Sequence, residues 1–232
     1  TAIVEEAHRA GITAQAHTQS VEGLRLAVEA GCDLIQHANI TGPVAIPPAT
    51  LELMARRKTG TVVFPLTRQR LQSIMEHASD LQRTMWQASD TNTHNLIRWG
   101  APLLLANDGS VFSPEVATDP WIGKSWMSPS EENLSDLRTG HFAWFKAMQE
   151  KGCPPMKMLE AATRNIAVAY GKDRELGTIE PGKIADLLVL DQNPLQAAEH
   201  YRSIHIIFKD GVVVYRDALA VAPVLTRPME SP

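Results

Sequence analysis

Two short stretches constrain what this chain can fold into. Gly11-Ile12-Thr13-Ala14-Gln15-Ala16-His17 and Gly31-Cys32-Asp33-Leu34-Ile35-Gln36-His37 each open on a glycine, run through a largely apolar segment and end on a histidine. Each follows an amphipathic helical pattern, carried by Ile3, Val4, Ala7 and Ala10 before the first and by Leu24, Ala27 and Val28 before the second. Gly11 and Gly31 stand where a helix favours a left-handed C-terminal residue. The apolar runs suit strands covered on both faces. The unit recurs more weakly at residues 60–65, after the cationic helix end Arg56-Arg57-Lys58, and at residues 100–108, which end on Asp108. Four helix–strand units in succession predict a parallel sheet with crossover helices. Such sheets, and (β/α) barrels above all, bind ligands at the C-terminal ends of their strands. There His17, His37 and Asp108 would stand on three separate strands.

The strands are expected near 12–17, 33–37, 61–64 and 103–107, with helices over 1–10, 20–30 and 47–58. A long helical region over 71–99, broken once at most, contains His77 and His94, which read as solvated helix surface. Ser20 is the expected N-cap of the second helix, with Glu22 in its first turn. Residues 111–127 are irregular and punctuated by proline. A loop of that length directly after a strand end is commonly functional. Trp121 and Trp126 within it could line a substrate pocket, or equally pack the loop down or form a subunit contact. Ser128-Pro129-Ser130-Glu131 has the pattern of a capping box with proline at the first helical position. Pro154-Pro155 starts a further helix with Met158, Leu159, Ala162 and Ile166 on its core face; His141, on the helix before it, reads as structural.

Beyond Gly171 the composition turns β-rich. Residues 184–190, 204–208 and 212–215 read as strands, Lys209-Asp210-Gly211 as a hairpin turn, and residues 179–183 as a tight turn with Pro181 and Gly182 at its centre. A β-unit of this size holds little core alone and is expected to pair with strands elsewhere. The expected division is residues 1–170 as barrel and residues 171–232 as a small β-domain with an extended tail.

The chain has 232 residues and a net charge of −4, which gives no basis for binding nucleic acid or an acidic membrane surface. No apolar run approaches the roughly 20 residues of a membrane helix, and no signal peptide is visible; a cytoplasmic location is expected. Cys32 and Cys153 form neither a disulfide framework nor a CxxC pair, and Cys32 reads as a small buried hydrophobe. The chain opens on Thr1, already in a helix, so a preceding strand is expected in a longer protein.

Two histidines and an aspartate on separate strand ends suit zinc or a similar divalent ion. Such an ion makes hydroxide available at neutral pH, and an adjacent carboxylate can move the proton. On the residues alone, a structural or differently functional pair of histidines remains open.

Several motifs resemble the amidohydrolase superfamily, in particular its imidazolonepropionase-like and Xaa-Pro dipeptidase-like branch. Ala16-His17-Thr18 is similar to the histidine ending barrel strand five, Ile35-Gln36-His37-Ala38 to that of strand six, and Leu105-Ala106-Asn107-Asp108-Gly109-Ser110 to the strand-eight aspartate motif. Residues 161–167 with residues 176–191 resemble the family's C-terminal signature. The resemblance implies an α/β fold: the second half of a (β/α)8 TIM-type barrel, followed by strands of a small β-sandwich domain. It implies metal-dependent hydrolysis of amide or other C–N bonds on a small-molecule substrate. Zinc or another divalent metal, one or two ions, would be held by His17, His37 and Asp108, with Asp108 and His37 catalytic. A homo-oligomer is compatible with it. The family's His-x-His on strand one and its strand-four Lys or Glu have no counterpart here and would lie before Thr1, and Ala106-Asn107 replaces the usual Gly-Thr before the aspartate. Deamination and phosphotriester or lactone hydrolysis share the scaffold, and a metal-free fragment acting in binding or assembly is the contrasting reading.

Overall fold

A computed structural model describes residues 1–109 and 139–216. The first part is built from repeated helix–strand steps. Helix α1 (Ala2–Arg9) leads through Gly11 to β1 (Gln15–His17), and α2 (Val21–Ala30) through Gly31 to β2 (Leu34–Gln36). Helix α3 (Pro48–Arg57) precedes β3 (Gly60–Val63), and α4 (Arg68–His77) with α5 (Asp80–Trp99) precedes β4 (Leu103–Leu105). The four strands form one sheet in the order β1-β2-β3-β4, every pair parallel, as the repeated unit requires.

The glycine stops behave as expected at Gly31 and Gly100, which cap α2 and α5 in the left-handed conformation at φ 90° and 76°. The third unit differs: Lys58 takes the left-handed position that ends α3 (φ 55°), and Gly60 opens the strand instead. A side chain at Gly60 would meet Leu104 and Leu34 at 3.1 Å, so glycine there serves close strand packing. Strands β1, β2 and β4 are shorter than expected, whereas β3 keeps the expected length and begins one residue earlier. The long helical region breaks at Ala78–Ser79, where Ser79 and Gln82 form a reciprocal capping box. His77 and His94 are exposed on α4 and α5.

Helix α6 (Gly140–Glu150) is followed by α7 (Pro155–Ala162). The helix expected to run through Ile166 breaks at Thr163, and α8 (Arg164–Ala169) takes a new direction. Alternation along the strands sorts the two sheet faces. Ile35, Val63 and Leu103 join Leu24, Val28, Met54, Leu96, Trp144, Met148 and Met158 in the main core under the helices. Leu34, Val62 and Leu104 lie on the opposite face, where Ile166 and Ala169 of α8 pack against them. Asn165 donates to the Leu103 carbonyl and Thr13 to that of Ala169, so α8 lies toward the strands' N-terminal ends. The C-terminal edge of that face carries His17 and Gln36, with Ala106 beyond β4.

After the turn at residues 180–183, β5 (Leu187–Leu190), β6 (Ile204–Lys209) and β7 (Val212–Arg216) form an antiparallel sheet. Asp210 and Gly211, both at positive φ, make the predicted hairpin. The expected pairing with strands elsewhere is not found among the described residues: the sheet has three strands, and Leu188, Val189 and Val212 on it are exposed. A 3₁₀ turn (Ala198–Arg202) ties this part to α6 by stacking Tyr201 on Phe145, ring centroids 3.7 Å apart. Cys153 is buried; Cys32, expected to be buried, is only half-buried because it lies in the turn before β2. The irregular stretch with Trp121 and Trp126, the capping box at residues 128–131 and the C-terminal tail lie outside the described residues.

Candidate active site at the C-terminal edge of the parallel sheet

His17 is the last residue of β1. Ala16 faces the helices, so Gln15 and His17 face the other way, beside Gln36 of β2. Gln36 donates to the Gln15 side-chain carbonyl at 2.8 Å, giving the face beneath His17 a polar surface.

His37 follows β2 directly and adopts φ 52°. A non-glycine residue there costs on the order of 1 kcal/mol and persists where the surroundings over-determine it. They do so here. The Ala38 N–H donates to the Val62 carbonyl at 2.9 Å and keeps the chain against β3. Asn39, completely buried, then bonds both backbone groups of Phe64: its carboxamide oxygen accepts from the Phe64 N–H at 2.8 Å, and its nitrogen donates to the Phe64 carbonyl at 3.0 Å.

The left-handed turn brings the His37 ring to 4.6 Å from that of His17, centroid to centroid, and 6.0 Å from Phe64. Its Nε2 lies 3.8 Å from Asp108 Oδ2, beyond a hydrogen bond. Its Nδ1 is buried, with no hydrogen-bond partner among the described residues. Burial lowers the His37 pKa, Asp108 opposes that shift, and His17 adds a small lowering. Burial thus favours the neutral imidazole, the form that ligates metals.

Asp108 lies three residues beyond β4, also at positive φ (47°). The Asn107 side chain accepts from the Gly109 N–H at 3.0 Å across the turn. The Asp108 side chain is 58% exposed against 16% for His37, so the carboxylate faces open space at the sheet edge.

The structure therefore brings the three predicted residues together as two pairs, His17 with His37 and His37 with Asp108. Two imidazoles, one with an orphaned buried nitrogen, and a carboxylate match a divalent metal in donor chemistry. They do not close a site: among the described residues, no group of three His, Cys, Asp or Glu side chains is arranged to hold an ion. Sequence reading missed Asn39 and Asn92. A buried asparagine in a loop and another inside a helix look like any polar residue, and only a left-handed residue two positions before Asn39 could have drawn attention to it.

Residues 103–214 match the amidohydrolase family. The imidazolonepropionase of Geobacillus kaustophilus (strain HTA426) is 27% identical over 221 residues, covering 93% of this chain and 42% of that protein. The solved structure of molinate hydrolase superposes with a TM-score of 0.81 at 32% identity, covering 99% of this chain and 48% of that one. Phenylurea hydrolase B gives the same TM-score and identity over 97% of this chain and 48% of its own. A Xaa-Pro dipeptidase shares the fold, with a TM-score of 0.65 at 21% identity over 93% of this chain and 47% of that one. The chain spans about half the length of the relatives it matches. Residues 103–214 are thus similar to part of an amidohydrolase-family domain, and the chain shares the fold of the corresponding half of these hydrolases.

Proposed function

We propose that this chain supplies half of a metal-dependent active site that hydrolyses amide or other C–N bonds in a small-molecule substrate. The observation that carries the reading is the convergence of His17, His37 and Asp108 at the C-terminal edge of one parallel sheet. The similar hydrolases support the reaction class: molinate hydrolase and phenylurea hydrolase B match nearly the whole of this chain.

A divalent ion such as zinc would supply a Lewis acid that makes hydroxide available at neutral pH. His17 and His37 would hold it through neutral imidazole nitrogens, with Asp108 as the carboxylate ligand. The remaining protein contacts would come from outside the described residues. Asp108, exposed toward the open edge, can take the proton of the attacking water and return it to the leaving nitrogen. Burial of the His37 ring disfavours its protonated form. The polar pair Gln15–Gln36 lies below, where a substrate would meet amide donors and acceptors.

The test is turnover by the full protein that carries this chain, loaded with zinc, manganese or cobalt and offered an acylated amino acid, a dipeptide and a phenylurea. Amine release that a chelator stops and metal restores supports the reading. A fully loaded protein that cleaves none of these C–N bonds overturns it. The open pairing of the three residues favours one contrasting reading, a metal-free subunit acting in binding or assembly, and metal analysis of the same preparation separates the two.

A further inference from the structure

Asn39 and Asn92 form a buried polar clamp around the loop that follows His37. Both side chains are fully buried. Asn39 Nδ2 donates to the Ser89 and Thr93 hydroxyls of α5 at 3.0 and 3.1 Å, besides its bond to Phe64. Thr93 in turn donates to the Ser89 carbonyl at 2.9 Å. Asn92, also on α5, donates to the Asn39 carbonyl at 3.0 Å and to the Thr41 hydroxyl at 2.7 Å, and accepts from the Ile46 N–H at 2.8 Å. Every hydrogen-bonding group of the two carboxamides is occupied. Fully satisfied buried networks specify one backbone arrangement, because each alternative strands several polar groups.

The position of the clamp matters more than its existence. Asn39 comes two residues after His37, and its carboxamide bonds both the N–H and the C=O of Phe64. It therefore acts as one further rung between the β2 and β3 chains, while the main chain itself turns away. His37 is the residue at that turn, in the left-handed conformation, with no hydrogen bond to its ring nitrogens among the described residues to orient it directly. What orients the ring is the backbone on either side: β2 before it and the Asn39 rung after it.

We propose that Asn39, braced by Asn92, is the positioning residue for His37, fixing the left-handed turn that aims the imidazole at His17 and Asp108. The catalytic half of this inference rests on the hydrolase reading above; the geometric half does not. Releasing the rung frees the turn to relax, and the ring then swings away from its two partners. Misplacement of a reacting group by about 1 Å can cost on the order of 10²-fold in rate.

The test uses the full protein with histidines selectively labelled with ¹³C, in chelator-treated form, and records the ring-to-ring nuclear Overhauser effect between His17 and His37. The parent should show it at a 4.6 Å centroid separation. Asn39→Ala should still unfold cooperatively yet lose the cross-peak. After metal loading, kcat should fall by roughly 10- to 100-fold with KM changed far less. Val28→Ala, a core change in α2 that leaves the Asn39 and Asn92 hydrogen bonds in place, should lower stability while keeping both the cross-peak and kcat. Should Asn39→Ala fail to fold, Asn92→Ala, which keeps both bonds to Phe64, decides: the cross-peak should weaken. An unchanged cross-peak in the folded variant, with kcat equal to that of the Val28→Ala control, overturns the proposal. A parent that cleaves no C–N bond overturns the hydrolase reading alone, since the cross-peak still decides whether Asn39 positions His37.

Discussion

Gly177→Ala tests how the C-terminal signature supports the sheet. Gly177 sits at φ +90°, and a Cβ there would lie 2.6 Å from the Ala167 Cβ, 3.1 Å from the Arg164 Cα and 3.4 Å from the Thr163 carbonyl oxygen. The first neighbour is a methyl group on a helix and the other two are backbone, so no flexible side chain can step aside. The left-handed conformation costs a residue with a Cβ roughly 1–2 kcal/mol. Forcing a methyl into a packed contact adds about 1–3 kcal/mol. The expected loss is therefore about 2–5 kcal/mol, measured as the shift in denaturant midpoint at unchanged m-value. A double-mutant cycle separates the two contributions. Ala167→Gly removes the methyl collision and leaves the backbone strain, so it should couple favourably with Gly177→Ala by about 1–3 kcal/mol, although glycine in α8 itself costs about 1 kcal/mol. Gly177→Ala within about 0.5 kcal/mol of the parent, or a coupling energy near zero, would refute the packing argument. The consequence would reach the sheet, because Ala167 belongs to the short helix whose Ile166 and Ala169 cover Leu34, Val62 and Leu104.

Cys153 is buried and its thiol is pushed up to about 11, so at pH 8 it should stay unmodified in the native protein and react only on unfolding, as followed with a chromogenic disulfide reagent. The lowered pKa of His37 has a definite sign: its stabilising contribution is complete above the ordinary histidine value of about 6.5 and is lost as pH falls through the folded-state value. In chelator-treated protein, the parent should therefore lose more stability than His37→Gln when the pH is lowered from about 7.5 to 5.5; equal losses would contradict it. The 232-residue chain by itself should bind zinc only weakly, since its candidate ligands meet as pairs; a calorimetric titration showing tight one-to-one binding would contradict this.

Much of the parallel sheet was legible because its signals are local. A glycine after an amphipathic helix, followed by an apolar run, fixes where a helix stops and a strand starts, and Gly31 and Gly100 do this. Lys58 shows the limit: the left-handed stop there is made by a residue with no such preference. The two histidines and the aspartate were legible as strand-end residues, but their left-handed turns at His37 and Asp108 were not. The turn at Asp108 is closed locally by Asn107 and Gly109, whereas the loop after His37 is held by Asn39, which meets Ser89 and Thr93 only after two helices and a strand have folded between them. The small β-sheet was legible strand by strand, whereas its partners depend on chain that the local pattern of residues 184–215 does not describe.

The central claim, that Asp108 moves the proton in a hydrolysis carried out with His17 and His37, is tested most directly by kcat/KM of Asp108→Asn in the full protein, with metal content measured in parallel. An amide cannot accept and return the water's proton at neutral pH, so kcat/KM should fall by roughly 10²–10⁴-fold, and further where metal is also lost. The fold should be unaffected, since the Asp108 side chain is largely exposed. Activity within a few-fold of the parent at equal metal content would remove Asp108 from the mechanism and contradict the account.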